Sequence, residues 1–176
     1  MMTRKKYNVL FLCTGNSARS ILAESILRKE GARHFNAFSA GSIPKGSVHP
    51  MAIKVLSDAG YPIDDFRSKS WDEFAQADVA PMDFIFTVCD NAAGEVCPVW
   101  PGQPMSAHWG IEDPAAVIGS PLDQETAFVT ALRYMKNRIG AFITLPIASL
   151  DRMTLRAKLS EIGAGEGTTL SRPDVA

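Results

Sequence analysis

The chain has 176 residues, with Lys+Arg 18 against Asp+Glu 19, a formal net charge of −1, and 46% hydrophobic residues. That length and apolar content suit one domain that buries its own core without a metal or disulfide staple, and the even charge excludes the global polybasic footprint of a nucleic-acid or anionic-lipid binder. No apolar run approaches the roughly 18 residues of a membrane helix, and the basic start Thr3-Arg4-Lys5-Lys6 leads into too short an apolar stretch for a secretory signal. The three cysteines, Cys13, Cys89 and Cys97, are therefore expected to be reduced thiols in a cytoplasmic setting.

Residues 1–6 read as a flexible start. Tyr7-Asn8-Val9-Leu10-Phe11-Leu12 is an apolar, β-prone run, predicted as a buried central strand, that breaks off at Cys13-Thr14-Gly15-Asn16-Ser17. A helix follows, with Ile21, Leu22, Ser25, Ile26 and Lys29 on one stripe and a stop near Gly31. Phe35–Ala40 is a second strand, and Pro50–Ala59 a helix that turns Ile53, Val55 and Leu56 inward before Gly60. Ser70-Trp71-Asp72-Glu73 has capping-box spacing, with Ser70 accepting from the third amide and Glu73 reaching back. Asp83–Val88 is the third strand, ended like the first by a cysteine, Cys89. Pro98, Pro101 and Pro104 enforce an extended connection, and Met105–Trp109 is the fourth strand. Ser120-Pro121 opens the longest helix, whose stripe is Phe128, Ala131, Leu132, Met135, Ile139, Phe142 and Ile143. A last amphipathic segment, about Leu150 to Ile162, is expected to turn Leu150, Met153 and Ala157 inward. The Gly/Ser/Thr/Pro-rich chain from residue 163 is expected to be a disordered tail. The organisation is thus a domain over 7–146, a helical extension over 147–162 and a tail over 163–176. Strands alternating with helices imply a parallel sheet with helices on both faces, and ligands in such folds gather at the carboxyl ends of strands. Cys13 and Cys89 stand at two such ends.

Cys13-Thr14-Gly15-Asn16-Ser17-Ala18-Arg19-Ser20 lies between a strand and a helix. If it curls, the N–H groups of residues 14–19 face one concavity, a nest for an oxyanion, backed by the positive end of the following helix. Arg19 supplies a planar fork for two oxygens of a tetrahedral anion. The same elements would lower the pKa of Cys13 below its ordinary value of about 8.5. Ser20 is placed to donate to that sulfur, and Gly15 to allow a close approach or a positive φ. The expected result is a nucleophile aimed at the centre of a bound oxyanion. Asp113-Pro114, in a loop after the fourth strand, can overhang the same sheet end. It reads either as a turn opener or as a general acid that protonates an oxygen being expelled, with Glu112 as the nearest competitor.

Cys13-Thr14-Gly15-Asn16-Ser17-Ala18-Arg19-Ser20 after an N-terminal strand resembles the phosphate-binding loop of the low-molecular-weight protein tyrosine phosphatases, and more closely that of the arsenate reductases built on that fold. Ser39-Ala40-Gly41, Val88-Cys89-Asp90, Cys97-Pro98 and His108 to Pro114 agree, so the resemblance runs from about Tyr7 to Leu145. It implies a flavodoxin-like three-layer α/β fold with a four-stranded parallel sheet, and Asp113 as the general acid. It also implies a thiol relay: Cys13 attacks arsenate, Cys89 attacks the Cys13 sulfur as arsenite leaves, and a Cys89–Cys97 disulfide remains for an external reductant (thioredoxin, glutaredoxin or glutathione). Eight residues of helix would hold Cys89 and Cys97 about 12 Å apart, against Cα atoms within about 7 Å for a disulfide, so this segment must be irregular or unwind. No tightly bound cofactor is implied.

Three departures qualify the resemblance. Ala18 stands where some relatives have a cysteine. Some reductases of this fold hold a potassium ion near the loop through Asn, Glu, Ser and Asp; Asn16, Glu24 and Ser39 match, whereas Ser70 falls where the Asp would be. Ala115-Ala116 follow Asp113-Pro114 where phosphatases usually carry an aromatic. The alternatives are a tyrosine phosphatase working through a Cys13 phosphoenzyme, and a non-enzymatic oxyanion-binding or redox-sensing module. His34, His49 and His108 lack metal-ligand spacing, Trp71, Trp100 and Trp109 read as core, and Arg67-Ser68-Lys69 is either a local oxyanion-steering patch or a solvated face.

Overall fold

The computed structural model describes residues 5–94 and 98–169. Four strands, β1 (Tyr7–Leu12), β2 (Phe35–Ala40), β3 (Phe84–Thr87) and β4 (Met105–His108), form one sheet in the order β2-β1-β3-β4. Every pairing is parallel, with Leu12 opposite Ala40 on one side and Thr87 on the other. Cys13 and Cys89 therefore leave adjacent strands at the same edge of the sheet. Helices α1 (Arg19–Glu30), α2 (Pro50–Asp58), α3 (Asp90–Gly94), α4 (Pro121–Ile143) and α5 (Arg152–Gly163) make the connections. The parallel sheet is the one that the alternation of strands and helices predicts, and its flavodoxin-like order is what the resemblance implies.

Strand alternation sorts the core into two parts. Val9, Phe11, Phe84 and Phe86 point to the face packed by α1, α2, α4 and α5. Leu10, Leu12 and Ile85 point to the other, where Trp71 and Met82 cover them and Trp100 packs alongside. Trp109 is fully buried, stacked on Phe86 with ring centroids 3.7 Å apart. Its indole Nε1 donates to the Leu159 carbonyl at 2.9 Å, which fixes α5 against the end of β4. Arg138, buried on α4, donates to the carbonyls of Gly163 and Glu166 at 3.3 and 2.9 Å, so a cation meets the carboxyl end of α5. No helix among the described residues is long and apolar enough to cross a membrane.

Three local expectations are corrected. Ser70 caps a 3-10 turn over Trp71–Phe74 through the Asp72 amide, not the third amide, because the Glu73 carboxylate is taken by both guanidinium nitrogens of Arg67 (2.9 and 2.7 Å). A capping box is found instead at α4, between Ser120 and Asp123. On α5 the buried side chains are Leu155 and Leu159, while Met153 is 83% exposed. Residues 164–169, expected to begin a disordered tail, are tied by an antiparallel bridge between Thr168 and Ile111 and by the bond of the Thr169 amide to the Gly110 carbonyl at 3.2 Å.

Candidate active site

The loop between β1 and α1 is shaped from outside. The Ile43 and Lys45 amides donate to the carbonyls of Thr14 and Gly15 (both 3.0 Å), and the His49 amide to that of Ser17 (2.9 Å). The Ser68 hydroxyl adds a second bond to Gly15 at 3.0 Å. In planar trans peptides, carbonyls drawn outward turn the amides of Gly15, Asn16 and Ala18 inward, giving the nest that the sequence predicts. Gly41 packs directly behind it, where a Cβ would strike the Cys13 and Thr14 carbonyls. The left-handed turn falls on Asn16 (φ 44°) and not on Gly15; at Gly15 the Lys45 stem passes close enough that a Cβ would press on it at 3.2 Å.

Asn16 holds that conformation, which favours glycine and asparagine, by spending its whole amide. Its Nδ2 donates to Ser20 and Ser39 Oγ, both at 2.9 Å, and its Oδ1 accepts from the Lys69 amide at 3.0 Å. Ser20 is thus committed to Asn16; among the described residues no bond from its hydroxyl to the Cys13 sulfur is found. Ser39 donates to Glu24 at 2.6 Å. The Lys69 ammonium, 8% exposed, lies 3.4 Å from Ser39 Oγ and 3.8 Å from Glu24 Oε1. Asn16, Glu24 and Ser39 do come together, and the positive charge among them is a lysine side chain. Ser70 faces its own turn instead. Arg67 and Lys69 are both paired with carboxylates, so the Arg67-Ser68-Lys69 run is part of the loop's support and not an oxyanion-steering patch. Lys69 is the site residue that sequence reasoning missed; its one signal was its place beside the Ser70 departure. Burial pushes the Glu24 carboxyl up and the Lys69 ammonium down, each partly offset by the other.

Arg19 opens α1 and reaches over the loop. Its Nη1 donates to the Ile111 carbonyl at 2.9 Å, and its Nη2 stands 3.7 Å from Asp113 Oδ2. Buried Nε has no hydrogen-bond partner among the described residues, which leaves one N–H of the fork for a ligand. Asp113 caps a short turn through the Ala115 amide (3.0 Å). Its other oxygen faces a cavity of about 320 Å³ that is also lined by Cys13, Thr14, Gly15, Ser17, Ala18 and Arg19. Glu112 is exposed and does not line it. The structure therefore brings Cys13, Arg19 and Asp113 to one concavity.

Cys13 and Cys89 are buried, 6% and 2% exposed, with their sulfurs hydrogen-bonded to each other. The Cys89 sulfur also receives the Thr14 amide at 3.3 Å and the Ala92 amide at 3.4 Å, with the Thr14 hydroxyl 3.6 Å away. Donation from the Cys13 S–H, helped by these amides, draws Cys89 down to about 5. The thiol that donates is pushed up by that bond and by burial, against the pull of Arg19 and the Gly15 amide. The two thiols titrate as one coupled pair that gives up its first proton readily and its second reluctantly. Cys97 lies outside the described residues. Neither His49, which caps α2 through the Met51 amide, nor His108 joins a metal-binding cluster, and none is found among the described residues.

A four-stranded parallel sheet in this order, with helices making its connections, defines a flavodoxin-like α/β domain. Residues 8–152 match the family model described as low molecular weight phosphotyrosine protein phosphatase, and the chain belongs to that family. It is 34% identical over 132 residues to an arsenate reductase of Halalkalibacterium halodurans, covering 75% of this chain and 88% of that protein. Over 111 residues it is 39% identical to an arsenate reductase of Brevibacillus brevis, covering 62% and 78%. Among solved structures, an arsenate reductase in the phosphate-binding state superposes with a TM-score of 0.63 at 28% identity, covering 78% of this chain and 96% of that one. A low molecular weight protein tyrosine phosphatase from T. tengcongensis, 22% identical with a TM-score of 0.63 over 78% and 98% of the two chains, shares the fold.

Proposed function

We propose that the protein is a thiol-dependent arsenate reductase. The observation that carries the reading is the second sulfur: Cys89 Sγ accepts the Thr14 amide of the oxyanion loop at 3.3 Å, on the residue next to Cys13. A hydrolytic phosphatase resolves its intermediate with water and has no use for a thiol there. The loop amides and Arg19 supply the positive field that draws the oxyanion in, and the pair keeps one proton between its two sulfurs. With that proton on Cys89, Cys13 is the nucleophile.

Cys13 thiolate then attacks arsenic, and Asp113 supplies the proton on the expelled oxygen. Cys89, giving its proton to an arsenic-bound oxygen, attacks the Cys13 sulfur. The S–S bond forms as the S–As bond breaks, and its electron pair stays on arsenic, so As(V) becomes As(III) and the two thiols become one disulfide. Cys97 exchanges into that disulfide and frees Cys13, and an external dithiol or glutathione returns the two electrons. The 34% identical arsenate reductase supports the substrate class.

The test is to supply arsenate with a thiol reductant and count reducing equivalents consumed per arsenite formed, beside an aryl-phosphate hydrolysis assay. Two thiols per arsenite are expected, with Cys13→Ser inactive but folded. Efficient aryl-phosphate hydrolysis without arsenate-dependent thiol oxidation would make the protein a phosphatase instead.

A further inference from the structure

The segment after α5 lies outside the family match, yet it returns to the active-site edge of the sheet. Gly167, at φ 85°, is pressed against the Tyr134 ring, Thr168 bridges to Ile111, and the Thr169 hydroxyl donates to Asp90 Oδ1 at 2.6 Å. The same oxygen stands 2.9 Å from His108 Nε2, and His108 Nδ1 is 2.7 Å from Thr87 Oγ1. Gly110 makes the convergence possible, because a Cβ there would strike Thr169 Oγ1, His108 Nε2 and Asp90 Oδ1 together. Asp90 follows Cys89 directly and opens α3, whose Ala92 amide donates to the Cys89 sulfur. This polar contact between strap, strand and helix is not needed to close the core: the side chain of Asp90 is 60% exposed.

We propose that Thr169 and His108 are positioning residues for Cys89: by clasping the Asp90 carboxylate they hold the first turn of α3 wound, and through it the C-terminal strap sets how readily the Cys89 sulfur reacts. A wound first turn aims the Ala92 amide at the sulfur and keeps it covered. A released Asp90 lets the turn open, which uncovers Cys89 and removes an amide from it. The consequence for turnover rests on the relay proposed above; the clasp itself does not. Around Cys89 the titratable and charged groups are Cys13, then Asp90 on its own helix, with His108 and Arg19 acting on Asp90.

The experiment uses the full chain with no arsenate present. Wild type, Thr169→Val, Thr169→Ser and Gly110→Ala are alkylated with iodoacetamide from acid to alkaline pH, and Cys89 is separated from Cys13 by peptide mass spectrometry. In Thr169→Val and Gly110→Ala the midpoint for Cys89 should rise by a shift worth about three- to tenfold in its thiolate equilibrium. The plateau rate should rise by a similar factor, because the turn opens more often. Thr169→Ser keeps the hydroxyl and should follow wild type. A strap that only anchors the chain end would leave both readouts unmoved, so superimposable curves for Thr169→Val and wild type overturn the clasp. A change that Thr169→Ser shares overturns it as well. Because the readout needs no arsenate, clasp-dependent alkylation in a protein that fails to reduce arsenate would remove the proposed activity and leave the clasp standing; an active reductase with unmoved alkylation would remove the clasp alone.

Discussion

Lys69 and Glu24 form an ion pair beneath the oxyanion loop, 8% and 4% exposed, with Nζ to Oε1 at 3.8 Å. At an effective dielectric of about 20 their attraction is about 4 kcal/mol, and taking two charges out of water costs several kcal/mol for each ion. The intact pair therefore contributes little net stability, while breaking it on one side is costly. Glu24→Gln leaves an ammonium held only by Ser39 Oγ and the Arg67 carbonyl, and should cost about 4 kcal/mol. Lys69→Met should cost less, about 2–3 kcal/mol, because Glu24 keeps Arg28 at 3.1 Å and Ser39 at 2.6 Å. The double variant buries no unmatched ion here and should lose about 3 kcal/mol, so the double-mutant cycle should show a coupling of about 3 kcal/mol. Urea unfolding of the four proteins measures it. A pH series adds a sign: burial raises the folded-state pKa of Glu24. The stability linked to its proton is therefore complete below the unfolded carboxyl value and is lost as pH rises through the raised one, a fall that Glu24→Gln should abolish. Additivity of the two single variants within about 0.5 kcal/mol would refute the buried-pair argument.

Other perturbations test the site and its scaffold. Arg19→Lys keeps the charge but cannot reproduce a fork that binds the Ile111 carbonyl while offering Nε to a ligand, so kcat/KM for an oxyanion substrate should fall by roughly a hundredfold or more at unchanged circular dichroism. Wild type should retain one thiolate, read by ultraviolet absorbance, down to about pH 5. Cys89→Ser should lose it, and a low-pH thiolate that survives the substitution would place the charge on Cys13. Trp109→Phe gives up the bond to the Leu159 carbonyl and part of the stack on Phe86; a loss of about 2–3 kcal/mol in urea unfolding is expected.

Much of the fold is legible because its signals are local. β2 has the predicted bounds, and every member of the α4 stripe but Ile143 is fully buried. The Cys13–Arg19 spacing, with its preceding strand and following helix, carries the loop by itself, since the chain has few other ways to satisfy so many inward amides. The failures are of one kind: two local solutions existed and tertiary contacts chose between them. On α5 the pair Met153 and Ala157 and the set Leu155, Leu159 and Ile162 both fit helical spacing; the docking of Leu159 beside Trp109 selects the second, while Leu150, just before α5, packs on the core as expected. Glu73 could have closed a box on Ser70 but lies nearer to Arg67. Lys69 sits in a charge run that looks solvated until Glu24, 45 positions earlier in the chain, is folded over it.

The distribution of one proton over two sulfurs is the hardest feature to read from sequence, and the reason is physical. The elements that favour an ionised Cys13, namely Arg19 and the loop amides, are all within a few residues of it. Those that favour Cys89 come from the Thr14 amide, the first turn of α3 and the Cys13 S–H itself, and none is visible until β1 and β3 are paired. Once they are, donors converge on both sulfurs, and the single charge that the pair shares is stabilised chiefly by the hydrogen bonds pointed at it. The Gly15 amide serves Cys13 and the Thr14 amide serves Cys89, while the outward carbonyls of Gly15 and Ser17 leave the Asn16 and Ala18 amides turned toward the cavity. A pair that shares its first ionisation presents one negative charge and not two to an arriving anion, which limits like-charge repulsion while keeping a nucleophile ready.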